Sequence, residues 1–331
     1  MHFIQTRRNF LTGLSAAGAI GLFNVGQSKA AAEPPPETTT VRLSAVPSVC
    51  AAPLYLAEDL LREEGFTDVR YVPSTGMAMV ADGEVDFDML AAVDYLPLLD
   101  AGKSLKVLSG VHVGCFELRA NDSIKAITDL RGKRVGATAP LGFAADYLLV
   151  SVMAAYVGLN PLTDITWVTD PKVSQADLFT MGKVDAFVGF PPDPSQPCMQ
   201  SIGHLVVNTA HDRPWSDYFC CMVAANSDFM RNNPVATKRV LRAILRATDI
   251  CHKEPERAVE RMVKQGFSAM CARMMLNDVR YGLWRTYDPE DTVRFFALRL
   301  HEAGMIKKTP NEIITKFTDW KFLKEIKSEL S

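Results

Sequence analysis

Cysteine and histidine are the residue types in this sequence best suited to covalent or metal chemistry. Cys50 stands out because it directly precedes an amphipathic segment, and the positive end of a helix favours the nucleophilic thiolate. A nucleophile also needs a base nearby, and His112, at a predicted strand end, is the candidate. The alternative is that Cys50 only lines a pocket. The seven cysteines lie at 50, 115, 198, 220, 221, 251 and 271.

The cysteine spacing does not resemble that of a zinc site, so the sequence predicts neither a metal nor a cofactor. Seven is an odd number, so at least one thiol stays unpaired within the chain. We expect most of them to be small buried side chains. For the adjacent Cys220 and Cys221, with no histidine partner evident, two interpretations remain open: two small residues on a crossing strand, or a vicinal disulfide.

The first 32 residues predict an export signal. Arg7 and Arg8 precede an apolar run over 11–26, which is shorter than the roughly 20 residues needed to cross a bilayer and is interrupted by glycines. Small residues suited to cleavage follow it. The order Thr-Arg-Arg-Asn-Phe-Leu resembles the twin-arginine motif, whose machinery exports folded proteins. We therefore expect the mature chain in the periplasm.

The charge balance excludes nucleic acid as an expected partner. The chain has 36 basic and 38 acidic side chains, and three of the basic ones lie in the predicted signal. The remainder therefore has 33 basic against 38 acidic groups, a net charge of about −5. Residues 33–40 form a short proline-rich linker, and roughly 290 residues follow, enough for two domains.

Apolar periodicity in the first third of the chain alternates between the periods of a strand and a helix. Strands are predicted at 41–46, 68–73 and 86–92, with helices at 53–64 and 77–85 between them. Repeated strand–helix–strand units predict a parallel sheet covered on both faces.

The same alternation resumes in the second third. Strands are predicted at 134–137 and 164–169 around a helix at 142–158. Residues 174–190 then repeat an earlier order of helix, Gly-x-Val-Asp turn and strand, which indicates two similarly built lobes. A charged helical region is predicted over 233–330.

Several segments, in this order, resemble the periplasmic solute-binding proteins of ABC importers, in the subgroup for nitrate, sulfonate, taurine and pyrimidine-precursor uptake. The resemblance implies an α/β fold of the type II periplasmic-binding-protein class, with two α/β lobes around a central ligand cleft. Lobe 1 would comprise 41–114 plus 222–331, and lobe 2 would comprise 115–221. The segments are AAPLYLAEDLLREEGF, GEVDFDMLAAVDYLPLLDAGKSLKVLSG, IKAITDLRGKRVGA, LVSVMAAYVGLNP, GKVDAFVGFPPDP and VAANSDFMRNNPVATKRVLRAIL.

The resemblance also implies a function. Such a protein captures one small solute, closes by hinge motion and delivers the solute to an ABC permease driven by a separate ATPase. It makes and breaks no bond, and we expect a monomer. Two alternatives remain: an enzyme on the same fold, acting on a pyrimidine-like heterocycle with Cys50, Cys220 or His112, and a ligand-sensing partner of a membrane receptor.

In open α/β sheets, ligands bind beyond the carboxyl ends of the strands, where helix N-termini direct free N–H groups. The loops there contain no Lys or Arg, so a small anion would rest on N–H groups, and a neutral or heteroaromatic solute fits as well. Asp94 is either a ligand acceptor or a helix cap, and Phe143 either stacks on ligand or packs in the core. The candidates are Ser48, Val49, Cys50, Ala51, Thr75, Gly76, Val93, Asp94, Thr138, Gly142, Phe143, Phe190, Pro191 and Asp193.

Overall fold

The computed structural model describes residues 33–138, 144–189 and 202–330. Two five-stranded sheets organise them. The first sheet has the strand order β2-β1-β3-β10-β4, so it takes four strands from the first third of the chain and one from much later. Its strands are β1 (Thr40–Ala45), β2 (Asp68–Pro73), β3 (Phe87–Ala91), β4 (Leu105–His112) and β10 (Cys221–Asn226).

The second sheet has the order β7-β6-β8-β5-β9. Its strands are β5 (Glu117–Ala120), β6 (Arg134–Gly136), β7 (Thr166–Val168), β8 (Ala186–Gly189) and β9 (His204–Asn208). The expectation of purely parallel sheets is wrong in one strand of each sheet. In the first, β10 runs antiparallel to β3 and β4; in the second, β5 runs antiparallel to β8 and β9. Each of these strands enters its sheet directly from the other one.

The helices follow the predicted order with small shifts of their ends. One prediction is wrong, because residues 77–83 form turns instead of a helix. Gly83 has a positive φ of 76°, which ends the turns just before β3. The helices are α1 (Ala52–Glu63), α2 (Ala92–Asp100), α3 (Ala145–Tyr156), α4 (Gln175–Thr180), α5 (Ser227–Asn232), α6 (Pro234–Lys253), α7 (Pro255–Lys264), α8 (Ala269–Asp278), α9 (Pro289–Glu302), α10 (Pro310–Phe317) and α11 (Lys321–Glu329).

Two segments connect the sheets. One starts directly after His112 and the other ends at Cys220, two residues that the sequence analysis considers for chemistry. Residues 113–116 lead from β4 to β5, and residues 209–220 lead from β9 to β10. Five Cα steps of at most about 3.6 Å join His112 to Glu117, so the two sheet edges lie within about 18 Å of each other. The strands β1, β3, β6 and β8 all end at these facing edges.

The two connecting segments contact each other at Gly114 and Ala210. Gly114 has a φ of 90°, and a Cβ placed on it would lie 2.4 Å from the Cβ of Ala210. Only glycine therefore fits this position. The backbone N–H of Thr209 donates to the carbonyl oxygen of Phe116 at 3.0 Å, and this hydrogen bond joins the segments again.

The C-terminal helices pack against the first sheet. The long helix α6 covers α1, where its apolar face is fully buried. Arg242 of α6 donates to the carboxylate of the buried Glu64 at 2.8 Å, so the charge at the end of α1 is paired. In the part of the chain that the structure describes, no helix is both long and apolar enough to cross a membrane.

Candidate functional site

The register of β10 brings residues from distant parts of the chain to one edge of the first sheet. Cys221, the first residue of β10, lies opposite Ala91 at the end of β3 and opposite His112 at the end of β4. Because β10 is antiparallel to both, its beginning coincides with their carboxyl ends. This is the edge at which the sequence predicts a ligand site.

The loop after β1 reaches the same edge. Ser48 precedes a short 3-10 turn, Val49–Ala51, which leads directly into α1. Cys50 is 6% exposed, and its Sγ lies 3.2 Å from the hydroxyl oxygen of Ser48. Its carbonyl oxygen accepts a hydrogen bond of 3.1 Å from the hydroxyl of Tyr281, which fixes the turn. The Cys50 side chain is therefore a buried part of the loop, held in place from two sides.

Four side chains meet where these elements converge. The Sγ atoms of Cys50, Cys115 and Cys221 and a ring nitrogen of His112 all lie within 4.8 Å of one another. A fourth thiol, that of Cys220, lies 2.9 Å from the Sγ of Cys115. We call Cys50, His112, Cys115 and Cys221 the thiol–imidazole cluster. All four cysteines are free thiols, so the vicinal disulfide between Cys220 and Cys221 is not formed.

The sequence suggests only one pair of this cluster, Cys50 with His112, because its members are separated by 62, 3 and 106 positions along the chain. The expectation that Cys221 lacks a histidine partner is wrong, since the sheet register places His112 beside it. One local feature does mark the site. Cys115 has a φ of 96°, and it is the only non-glycine residue with a positive φ in the described ranges.

The thiols of the cluster differ in their proton affinity. Hydrogen bonds from Cys115, Cys220 and Cys50 hold the pKa of Cys221 well below its usual range. Burial raises the pKa values of Cys115 and Cys220 well above theirs. The hydrogen bonds among the thiols therefore favour ionisation of Cys221 over ionisation of Cys115 or Cys220.

Asp94 lies in the first turn of α2, next to the cluster, and is buried. Its Oδ1 atom has no hydrogen-bond partner among the described residues. Burial raises the pKa of Asp94 well above its usual value, and the negative charges of Cys221 and Asp146 raise it further. Ala91, not Asp94, is the N-cap residue of α2. One carboxyl oxygen of Asp94 is thus buried with an unused hydrogen-bonding capacity in the described part of the chain.

On the second sheet, Thr138 follows β6 and its polar atoms are occupied. Its backbone N–H and its hydroxyl both donate to the Oδ2 atom of Asp146, at 2.7 and 2.9 Å. The side-chain amide of Gln175 donates to the same carboxylate at 2.5 Å and also to the Thr138 hydroxyl. Asp146 begins α3, which contacts α2, so this network faces the Asp94 side of the site.

The remaining candidates divide into four groups. Val49 and Ala51 are fully buried and have no polar side chain to offer. Thr75 and Gly76 lie exposed after β2, at the outer strand of the first sheet. Val93 lines a small apolar cavity of about 20 Å³ together with Phe219. Outside the described residues lie Gly142, Phe143, Phe190, Pro191 and Asp193.

Comparison with known proteins places the chain in a family. Residues 34–263 match the model of the NMT1-like family. The chain belongs to the NMT1-like family. This match spans the ten strands of the described residues and all four members of the thiol–imidazole cluster.

Two curated relatives of this NMT1-like protein are named for different functions. The nitrate/nitrite binding protein NrtA of Nostoc is 26% identical over 270 residues, which cover 73% of this chain and 60% of that protein. The match therefore spans less than two thirds of that relative's length. A 4-amino-5-hydroxymethyl-2-methylpyrimidine phosphate synthase of Saccharomyces cerevisiae is 23% identical over 245 residues, 66% of this chain and 68% of that enzyme.

Solved structures confirm the predicted fold. The periplasmic nitrate-binding protein NrtA from Synechocystis has a TM-score of 0.72 and 16% sequence identity, with 90% of each chain covered. This NMT1-like protein therefore has the periplasmic-binding-protein fold, and the resemblance seen in its sequence is confirmed at the level of fold and family.

Proposed function

We propose that this protein is the extracytoplasmic solute-binding subunit of an ABC importer. The observation that carries the proposal is the geometry of the two facing sheet edges. The strand ends and the N-terminus of α2 converge there, and the buried carboxyl of Asp94 has one oxygen without a partner among the residues that the structure describes. A solute that donates a hydrogen bond to Asp94 Oδ1 would satisfy that buried atom, which costs about 1–3 kcal/mol when left unpaired.

The proposed solute is small: a sulfonate, an oxyanion or a heteroaromatic compound. Two relatives are named for nitrate or nitrite binding, which supports the oxyanion. The buried Oδ1 atom of Asp94 supports a heteroaromatic solute, because a ring N–H would donate a hydrogen bond to it. The proposed contacts are the candidate residues of the strand-end loops, with the Ser48–Ala51 turn and Asp94 on lobe 1 and Thr138 on lobe 2.

Capture would involve closure of the two lobes, which we assign to 41–114 plus 222–331 and to 115–221. The two connecting segments, which contact each other at Gly114 and Ala210 and at Phe116 and Thr209, would be the hinge of this motion. The closed protein would deliver its solute to the permease, with a separate ATPase supplying the energy. In this proposal the chain acts as a monomer in the periplasm, exported by the twin-arginine route.

A binding screen tests the proposal. Nitrate, alkyl and aryl sulfonates, pyrimidines and aromatic acids are added one by one, and the melting temperature is recorded. A solute present at 100 times its Kd raises the free energy of unfolding by about 2.7 kcal/mol. For a chain of this length the melting temperature then rises by about 5 °C. Asp94→Asn should weaken binding of that solute about tenfold, whereas Asp59→Asn, on the exposed face of α1, should leave it unchanged. If no class raises the melting temperature, the proposal is wrong.

A second candidate is an enzyme acting on a pyrimidine-like heterocycle. The specific observation in its favour is that the Cys50 Sγ lies within 4.8 Å of a His112 ring nitrogen, from which side-chain rotation would have to bring the two atoms to about 2.6–3.2 Å for proton transfer. A relative named as a pyrimidine phosphate synthase supports it too. Calorimetric binding and turnover assays of Cys50→Ser and His112→Ala separate the candidates. Binding without turnover in wild type and both variants excludes the enzyme.

A further inference from the structure

The thiol–imidazole cluster consists of four side chains that can each bind a metal ion. Its members are almost completely buried: His112 is 0% exposed, Cys115 4%, Cys221 5% and Cys50 6%. Three thiols and one imidazole with donor atoms within 4.8 Å of one another are the donor set of a Cys3His site. We propose that this cluster binds one thiophilic metal ion with a filled d shell, Zn²⁺ in the first place, with Cu⁺ as the other ion of the same chemistry.

The distances fit such an ion. A tetrahedral Zn²⁺ with Zn–S bonds of about 2.3 Å holds its sulfur atoms about 3.8 Å apart. The widest donor pair is at most 4.8 Å apart, so side-chain shifts of about 1 Å or less complete the coordination shell. Rotation about χ1 supplies such shifts without movement of the strands.

An independent observation at His112 points to the same ligand. Neither ring nitrogen of this fully buried imidazole has a hydrogen-bond partner in the described part of the chain. A neutral imidazole has one donor and one acceptor nitrogen, and burial of both without partners costs free energy. A metal ion bound to the acceptor nitrogen removes half of that cost and explains why a polar ring lies among three thiols.

The backbone holds the ligands in different ways. His112 and Cys221 are a register pair of β4 and β10, so the ladder fixes their separation. Cys115 reaches the cluster through its φ of 96°, a conformation that costs a non-glycine residue free energy and persists only where the surroundings require it. Cys50 is held by the hydrogen bond from Tyr281 to its carbonyl oxygen. Three separate chain segments thus present preformed ligands, independently of whether the chain serves an importer.

The chain also offers a matched control. Cys251 in α6 is a free thiol, 2% exposed, and it lies outside the cluster. Cys251→Ser therefore changes a buried thiol to a hydroxyl in the same way as Cys50→Ser or Cys221→Ser, without touching the proposed ligands.

The experiment uses the full chain, purified under reducing conditions and freed of metal with a chelator. Zn²⁺ or Cu⁺ alone is titrated against a chromophoric competitor, and the retained metal is counted after desalting. We expect one ion per chain. Cys50→Ser, Cys221→Ser and His112→Gln should each weaken binding at least tenfold, and Cys251→Ser should change it less than twofold. Retention of no ion by the wild type, or equal losses in Cys251→Ser, overturns the proposal.

X-ray absorption of the wild-type complex gives a second test that needs no variant to fold. With Zn²⁺ we expect three sulfur ligands at about 2.3 Å and one nitrogen at about 2.0–2.1 Å. With Cu⁺ we expect a shell of two or three sulfur atoms. A shell of oxygen and nitrogen alone contradicts the site. A Cys115–Cys220 disulfide in the isolated protein, with no metal uptake after its reduction, contradicts it as well.

Discussion

Asp86 directly precedes β3, and Asp88 is its second residue. Replacement of each by asparagine should nevertheless have opposite effects on the free energy of unfolding at neutral pH. Asp86 is paired: its Oδ2 accepts the backbone N–H of Arg42 at 2.7 Å and its Oδ1 accepts the guanidinium at 2.6 Å. Asp88 accepts from the Ser44 hydroxyl and from the backbone N–H of Met89 on one oxygen only. Its other oxygen is buried without a partner in the described residues.

Burial raises the pKa of Asp88 to about 6, against about 3.9 in an unfolded chain. A carboxyl with a raised folded-state pKa favours folding when protonated. The contribution of the protonated Asp88 carboxyl to the free energy of unfolding is fully present below about pH 4. This contribution is lost as the pH rises through about 6. Two pKa units correspond to about 3 kcal/mol in total, of which about 2 kcal/mol is lost between pH 4.5 and 7.5.

Asparagine has no such ionisation and keeps an acceptor for Ser44 and Met89. The difference in unfolding free energy, Asp88→Asn minus wild type, should therefore increase by about 2 kcal/mol from pH 4.5 to pH 7.5. Urea unfolding at both pH values measures this difference. Asp86→Asn is the matched control, and it should cost about 1.5–3 kcal/mol at pH 7.5 because Arg42 loses its charged partner. An unfolding free energy of Asp88→Asn that follows wild type in parallel at both pH values would refute the reasoning.

Two further changes test the packing of the site. Gly114→Ala combines a positive φ with a Cβ 2.4 Å from that of Ala210, so it should cost at least about 2 kcal/mol in urea unfolding. Gly102→Ala, with a φ of 75° but open space around it, should cost only about 1 kcal/mol; equal losses would show that the contact is unimportant. Tyr95→Phe removes the hydroxyl that donates to the carbonyl oxygen of Met222 at 3.2 Å, which should lower the unfolding free energy by about 1–3 kcal/mol. No change on urea unfolding would mean that water replaces the hydroxyl.

Local patterns in the sequence were sufficient for most of the fold. The strand at 68–73 was predicted with its observed ends, and the region predicted to be helical over 233–330 contains α6 to α11. These patterns have periods of 2 and 3.6 residues, so a short window contains them completely. The segment at 77–85 shows the limit of such a window. It has apolar residues at helical spacing, but the chain forms turns there and enters β3 from Gly83.

The sequence by itself determined the alternation of strands and helices and the presence of two α/β units, and it predicts the sheet edge at which a ligand would bind. It also identified Cys50 and Asp94 as residues of that edge. Only the tertiary structure decided what lies beside them. β10 inserts antiparallel between β3 and β4 after the chain has built the whole second sheet, and its register sets Cys221 against His112. That pairing depends on contacts between segments more than 100 positions apart in the sequence. A hydrophobic periodicity within a short window therefore does not predict it.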